Sequence, residues 1–239
     1  MIKPGKKEVL VISDAQCPFQ HKDAWDFLEY IKDTKFGKKG PDEIVNIGDE
    51  VDFHALSRFI RNPDGYSAGH ELDAAVKALK PLYKMFPKVK VCVSNHVNRP
   101  YDRAFDAGIP KSFMRDIGAV LQAPPGWEWA DEWLIDGVSY QHGHCLPGGK
   151  TAIQRVATEM SKSVVFGHVH AHAGIFYYAN QGDLRFAFNV GCLIDMNAYA
   201  FVYGNKFHCK PIIGCGIVRK GVPQFIPMLL NSKGRWIRS

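Results

Sequence analysis

The sequence has few of the features that hold small secreted proteins or membrane proteins together. It has six cysteines in 239 residues, and none of them forms a Cys-x-x-Cys pair. Most lie inside apolar runs, which favours free thiols in a reducing compartment over a disulfide framework or a zinc ribbon. No segment approaches the roughly 20 apolar residues of a membrane span, and the apolar run at residues 9–12 is too short for a signal peptide. We therefore expect a cytoplasmic protein with no membrane partner.

Internal repeats, low-complexity tracts and long linkers are also missing from the sequence. Its hydrophobic residues (46%) and charged residues (23%) are present in ordinary globular proportions, which excludes collagen, coiled coil and disorder. The length predicts one domain over residues 1–239. The net charge of +6 is compatible with an anionic partner such as a nucleotide or nucleic acid, although the basic residues are scattered and form no stripe. The oligomeric state stays open.

Five short runs rich in valine and isoleucine each end in polar side chains. The runs and the donors that follow them are EVLVIS with Asp14 and Gln16, EIVNI with Asp49, KVKVCV with Asn95, VSYQ with His142, and SVVF with His168 and His170. Such runs predict buried strands. Helical spacing occurs at 23–32, 71–86 and 151–161, with a further helix expected near 112–121, and Pro81 should kink or divide the second helix. The alternation predicts an α/β fold with a largely parallel sheet.

The positions of the donors predict that they converge. In open α/β sheets, binding sites form at the carboxyl ends of the strands, where all five clusters stand. Beyond residue 172 the pattern changes to strands only: GIFYYAN, LRFAFNV, AYAFVYG and PIIGCGIV. We expect this part, 173–239, to complete a second, more antiparallel sheet packed on the first.

The seven donors are oxygen and imidazole ligands without a thiolate. This mixture suits manganese, iron, zinc, nickel or cobalt better than a structural zinc site. Seven donors are too many for one tetrahedral ion and suit two divalent ions about 3.5–4 Å apart, bridged by a carboxylate. Asp49 is the candidate bridge, because Gly48 before it allows a close approach of the backbone. A turn, a cap or chance would explain each motif alone, but not all five at strand ends.

In order and spacing, these motifs resemble those of the calcineurin-like metallophosphoesterases. That family carries Asp-x-His, Gly-Asp-x-x-Asp, Gly-Asn-His-Asp/Glu, a histidine in a fourth block, and Gly-His-x-His. This chain has DAQ at 14–16, GDEVD at 48–52, SNHVNR at 94–99, QHGHC at 141–145 and GHVH at 167–170. The resemblance spans about residues 8–172. The DAQ variant, GDEVDFHALSRF and GCLIDMNAYA resemble the small members found in phages and prophages, which implies the host cytoplasm.

The resemblance implies a four-layer αββα sandwich and a dinuclear centre, with manganese as the first choice of metal. One ion would take Asp14, Gln16, Asp49 and His170, and the other Asp49, Asn95, His142 and His168. A bridging water would attack phosphorus. His96 would protonate the leaving group or hold a phosphate oxygen, so that His96 and Asp49 are the catalytic residues. The candidate substrate-binding residues are Arg99, His54 and His144.

Three positions depart from the family pattern. Gln16 replaces a histidine and is a weaker donor, which predicts loose binding at the first ion or a preference for manganese over zinc. Ser94 replaces a glycine, so that its turn must avoid a positive φ or tolerate strain. Val97 replaces the acid after the motif histidine, so any carboxylate that supports His96 must come from elsewhere.

The preferred function is hydrolysis of a phosphodiester in a nucleotide or nucleic acid. Phe53 stands where the serine/threonine phosphatases of this family have arginine, which disfavours a protein phosphatase, and the positive net charge favours nucleotides. A phosphomonoesterase is the alternative within the enzyme class, since the shape of the pocket beyond the metals decides between the two. A non-catalytic binding module on the same fold is the alternative of another class, disfavoured because His96 and the ligands are kept.

Overall fold

The computed structural model describes residues 5–59, 61–198 and 210–238. Within them the chain forms two mixed β-sheets and five α-helices. The strands are β1 Glu8–Ile12, β2 Glu43–Asn46, β3 Lys88–Cys92, β4 Gly126–Ala130, β5 Trp133–Ile135, β6 Val138–Tyr140, β7 Ser163–Phe166, β8 Ala173–Ala179, β9 Leu184–Val190, β10 Gly214–Arg219 and β11 Val222–Pro227. The helices are α1 Ala24–Ile31, α2 Ala68–Met85, α3 Asn95–Asp106, α4 Ile117–Val120 and α5 Ala152–Glu159. Short 3-10 turns at Gly37–Lys39, His54–Leu56 and Lys111–Phe113 and a π-helical turn at Lys32–Phe36 join them.

The first sheet has six strands in the order β11-β10-β1-β2-β3-β4, and the second has five in the order β5-β6-β7-β9-β8. In the first sheet β1 to β4 run parallel. In the second sheet β6, β7 and β9 are parallel, and the outer strands β5 and β8 are antiparallel to their neighbours. The predicted α/β class and all five predicted strands are therefore confirmed.

The alternating side chains of β1 divide the core. Leu10 and Ile12 lie in one cluster with side chains of α1 and α2, including Phe27 and Leu79. Leu10 and Ile12 point to the same side of β1, because side chains two residues apart share one face of a strand. The helices therefore cover the first sheet on the side opposite the second sheet.

Val9 and Val11 point to the other side of β1 and pack with the second sheet, against residues such as Phe188. The opposite face of the second sheet packs on α5, where Val164 and Val156 share a cluster. The two sheets thus meet through their inner faces, with helices on the outer face of each.

The C-terminal strands divide between the two sheets, which corrects the expectation that 173–239 completes the second sheet. β8 and β9 do belong to the second sheet, whereas β10 and β11 form a hairpin whose first strand pairs antiparallel with β1 in the first. The hairpin covers the edge of β1 opposite its parallel neighbour β2. Strand periodicity in a sequence does not tell which edge a strand joins. The predicted AYAFVYG strand lies outside the described residues from position 199 onward.

The helices differ from expectation in two places. Pro81 lies inside α2 without dividing it, because Leu79 and Leu82 on either side of it are fully buried and hold the helix on the sheet. α3 was not predicted from the sequence, although Ser94 caps it by accepting a hydrogen bond from the amide of Val97. No helix in the described part of the chain is both long and apolar enough to cross a lipid bilayer.

Candidate metal centre

The donors predicted at the ends of β1, β2, β3, β6 and β7 meet at one place. One cluster contains Asp14, Asp49 and His170, and another contains Asp49, His142 and His168. Within each cluster the ligand atoms lie within 4.8 Å of one another. Because Asp49 belongs to both clusters, the arrangement offers two neighbouring cation sites with a shared carboxylate.

The two amide donors lie against these clusters. Gln16 Nε2 is 3.3 Å from Asp49 Oδ2 and 3.5 Å from His170 Nε2. Asn95 Oδ1 is 3.0 Å from His142 Nε2. The structure therefore brings all seven predicted donors together, with one amide beside each cluster.

The chain continues to pair after β1 and β2 have ended, and this pairing positions the first two motifs. The amide of Asp14 donates to Gly48 O at 3.1 Å, and the amide of Gln16 donates to Asp49 O at 2.7 Å. Gly48 has a φ of 105°, and a Cβ at this position would lie 2.6 Å from Cys92 O. Only glycine fits this turn, and the turn delivers Asp49 to the centre.

Four of the candidate ligands have a left-handed backbone. Their φ values are 48° for Asp14, 49° for Gln16, 51° for Asp49 and 65° for His168. Side chains other than glycine avoid this region, and each such residue costs about 1–3 kcal/mol. Strained residues of this kind concentrate at binding and catalytic sites, where the surrounding structure holds them in place.

Buried acceptors in the centre lack donors, which fits a cation site. Gln16 Oε1 and Asp49 Oδ1 are buried and receive no hydrogen bond of acceptable geometry. His142 Nδ1 lies 3.1 Å from Ile47 O, and its Nε2 lies 3.5 Å from Asp49 Oδ2 and 3.0 Å from Asn95 Oδ1. A cation among these three atoms would satisfy all of them.

Asp49 is held as an anion in the interior. Burial alone favours its neutral form, but the positive potential of His142 and His96 outweighs burial and lowers the pKa of Asp49 below its ordinary range. A carboxylate that stays charged away from water needs compensating positive charge. Bound cations would supply this charge without protonating the histidines.

The two histidines of the Gly-His-x-His motif have opposite pKa shifts. Burial and the neighbouring His142 lower the pKa of His168 to about 4, so that this ring is neutral and able to ligate at pH 7. Burial also acts to lower the pKa of His170, but the hydrogen bond and charge of Asp14 raise it overall. His170 Nε2 lies 2.9 Å from Asp14 Oδ1. The carboxylate of Asp14 and the imidazole of His170 are therefore adjacent at the place where the first cation would be held.

His96 lies between a carboxylate and a guanidinium. Its Nδ1 is 3.0 Å from Asp52 Oδ1 without hydrogen-bond geometry, so that Asp52 is the carboxylate that lies next to this ring. Arg99 donates to the backbone oxygen of Asp52 at 2.6 Å and to its Oδ1 at 3.0 Å. Arg99 Nη2 lies 2.8 Å from His96 Nε2 and must donate to it, because a guanidinium has no acceptor. His96 Nε2 is also 3.7 Å from Asp49 Oδ2.

The three candidate substrate-binding residues have different surroundings. Arg99 is engaged by Asp52 and His96, as described. His54 is buried, and its Nε2 accepts a hydrogen bond from the amide of Asn62, which closes the loop after the second motif. His144 is exposed at the rim, with its ring centroid 5.5 Å from that of His142. Of the three, His144 alone is exposed to solvent.

Two buried polar residues were not predicted to support the centre. Asn189 donates to Val169 O at 3.1 Å and accepts from the amide of Gly191, which holds the Gly-His-x-His loop against the second sheet. Its signal in the sequence is a single amide in the apolar run LRFAFNV. Glu50 accepts a hydrogen bond from Trp129 Nε1 at 2.8 Å, and burial raises the pKa of Glu50 to about 7. No local pattern in the sequence predicts that Glu50 and Trp129 form this hydrogen bond.

No family model matches the chain. Two curated relatives are phage proteins, each called Gene 54 protein. The relative from Mycobacterium phage D29 is 26% identical, and the relative from Mycobacterium phage L5 is 28% identical. Each alignment covers 83% of this chain and 84% of the relative. The likeness therefore extends over most of both chains, and the shared name describes no activity.

Proposed function

We propose that this chain is a dinuclear-metal-dependent phosphoesterase, and specifically a phosphodiesterase that acts on a nucleotide or nucleic acid. The observation that carries the proposal is the pair of donor clusters that share Asp49, set in a backbone strained at four of the ligands. Buried acceptors without donors in the same place support it, because a cation satisfies them and an empty polar pocket does not.

The donors present fit two divalent ions of the first transition series. One ion would be held by Asp14, Gln16, Asp49 and His170, and the other by Asp49, Asn95, His142 and His168. Oxygen and imidazole donors suit manganese first, with iron, zinc, nickel and cobalt as further candidates. When bound, such a pair supplies Lewis-acid activation of water and neutralises charge on the phosphoryl oxygens.

The chain itself contributes a proton-transfer group and its support. Asp52 lies 3.0 Å from Nδ1 of His96, and Nε2 of His96 accepts a hydrogen bond from Arg99. While Nε2 accepts from Arg99 it carries no proton, so His96 can protonate a leaving oxygen only after Arg99 releases this nitrogen and the ring takes up a proton from solvent there. An incoming phosphate provides an alternative acceptor for the guanidinium. Arg99 thus changes partner when substrate arrives, and His96 becomes available to the leaving group.

The packing supports the αββα sandwich that the sequence resemblance implies. Helices α1 and α2 lie on the outer face of the first sheet and α5 lies on that of the second, with apolar side chains between the sheets. The motif-bearing loops all follow strands of these sheets. Because both relatives are phage proteins, we place the reaction in the host cytoplasm.

The test is hydrolysis of a chromogenic phosphodiester beside its monoester with added Mn²⁺. We expect turnover of the diester, its loss in Asp49→Asn, and a fall of roughly 10²–10⁴-fold in kcat for His96→Ala. Asp73→Asn and His70→Ala are matched controls, because both residues are exposed on α2. Turnover of the monoester alone would replace the diesterase with a phosphatase. No turnover with any of the five metals would favour a binding module.

A further inference from the structure

A groove of about 960 Å³ runs along the loop between Asp52 and α2. Its lining includes His54, Arg58, Phe59, Arg61 and Tyr66. We propose that this groove binds the bases of single-stranded nucleic acid and so selects the substrate of the metal centre. The inference rests on the proposed phosphodiesterase activity and names the class of substrate.

The charge of the groove suits a polyanion. Arg58 and Arg61 line it, and the described residues that line it include no aspartate or glutamate. Arg58 is held by Asp106, with Nη2 at 2.8 Å and 2.7 Å from the two carboxylate oxygens. Arg61 donates to Ala55 O at 2.8 Å, and within the described part of the chain no carboxylate forms an ion pair with it. Its positive charge is therefore available to a phosphate backbone.

The aromatic side chains of the groove suit stacking on bases. Phe59 is 83% exposed, so that the fold does not gain the free energy that burial of a phenyl ring would provide. Tyr66 is 48% exposed and stacks on Phe19, with ring centroids 6.4 Å apart and planes inclined by 13°. Stacking on exposed aromatic faces next to cations is the usual way in which proteins bind single strands without regard to sequence.

The first part of this loop, residues 54–57, is held by four hydrogen bonds to helices α2 and α3. Glu71 of α2 accepts hydrogen bonds from the amides of His54 at 2.6 Å and Ala55 at 2.8 Å. Arg103 of α3 donates to Leu56 O at 3.0 Å and to Ser57 O at 2.6 Å. A wall held in this way needs little ordering when a ligand binds, which favours affinity.

The groove begins beside the catalytic histidine. His54, which lines it, follows Asp52 by two residues, so that their Cα atoms are at most about 7 Å apart. Asp52 in turn lies 3.0 Å from His96. Phe53 between them has a left-handed φ of 51°, which turns the chain sharply from the centre into the groove wall. Nucleotides next to a phosphate at His96 are therefore within reach of this wall.

The test measures binding without turnover. A fluorescent oligodeoxythymidine and an abasic strand of equal length are titrated with the full chain in a chelator, and anisotropy is recorded. We expect roughly tenfold tighter binding of the strand with bases, from one stacked base. Phe59→Ala should abolish this preference. Phe113→Ala should keep it, because Phe113 is 79% exposed and does not line the groove.

A second variant tests the charge of the groove. Arg61→Gln should weaken both strands and reduce the slope of log K against log salt by about 0.7, the value for one phosphate contact on a single strand. Lys38→Gln, which removes an exposed cation on the turn after α1, should leave that slope unchanged. Thermal unfolding of each variant verifies that the fold is intact.

The outcomes separate this inference from the proposed function. Equal affinity for the two strands, or an unchanged preference in Phe59→Ala, would overturn the groove assignment even if the chromogenic diester is hydrolysed. A preference for bases that depends on Phe59, in a protein that hydrolyses no phosphate ester, would reject the phosphodiesterase and retain a nucleic-acid site.

Discussion

Asp23 fastens the C-terminal segment to α1, and its removal should destabilise the fold by a predictable amount. Arg235 donates to both carboxylate oxygens of Asp23, at 2.6–3.1 Å, and the amide of Trp236 donates to one of them at 2.9 Å. Trp236 then packs edge-on against Phe27, with ring centroids 5.6 Å apart. The perturbation is Asp23→Asn, which removes the charge and keeps the shape.

The magnitude follows from the pKa of Asp23. The hydrogen bonds from Arg235 lower this pKa from 3.8 to about 2. The folded state therefore binds this proton more weakly than the unfolded state, and the charged carboxylate stabilises the fold. The lowering corresponds to about 2 kcal/mol, which is fully present above pH 4 and is lost as the pH falls through 2. Because 55% of the Arg235 side chain is exposed, solvent screening reduces this contribution to about 1 kcal/mol.

The assay is thermal unfolding between pH 7 and pH 3. At pH 7 Asp23→Asn should lower the Tm by about 2–4 °C, since each kcal/mol shifts a chain of this size by about 2–4 °C. About half of the difference in free energy should remain at pH 3. Glu29→Gln is the matched control, an exposed acid on the same helix. Equal Tm values at pH 7, or a gap that does not change with pH, would refute the electrostatic argument.

Three further predictions concern the centre and its support. Gly167→Ala should lose one bound metal ion per chain, measured by equilibrium dialysis, because its Cβ would lie 2.3 Å from Asp14 Oδ2; Gly182→Ala, with open space around its Cβ, should keep both. Gln16→His should tighten zinc more than manganese, measured by calorimetric titration, because imidazole is the better donor to zinc; equal changes for both metals would contradict this. Glu71→Gln should cost about 1.5–3 kcal/mol in urea unfolding, because the two amides lose a charged acceptor and one of them would face the NH2 group of glutamine; an unchanged midpoint would contradict it.

Features with a local cause could be predicted from the sequence. The strands before Asp14, Asp49 and His168 were predicted because runs of β-branched residues end abruptly in polar ones, and the structure brings those polar ends together. The avoidance of positive φ at Ser94 was one of two expected outcomes, and its φ of −122° with a hydroxyl that caps α3 confirms that outcome.

Features that depend on distant pairing could not be predicted. The position of β10 beside β1 depends on which sheet edge is open, and a strand pattern does not contain that information. The contacts of Arg99 with Asp52 and His96 could not be predicted, because they depend on how α3 meets the loop after β2. The left-handed backbone at Asp49 has no signal of its own, because only the glycine before it is visible in the sequence.

The four left-handed ligands have a consequence for how this protein evolves and how it is engineered. At Asp49, replacement by glycine would relieve the backbone and at the same time remove a buried carboxylate with an unsatisfied oxygen. A library selected only for thermal stability, without metal, should therefore accumulate glycine at these positions and become inert while it folds better. Stability screens on this chain need metal in the medium, since otherwise they select against the centre itself.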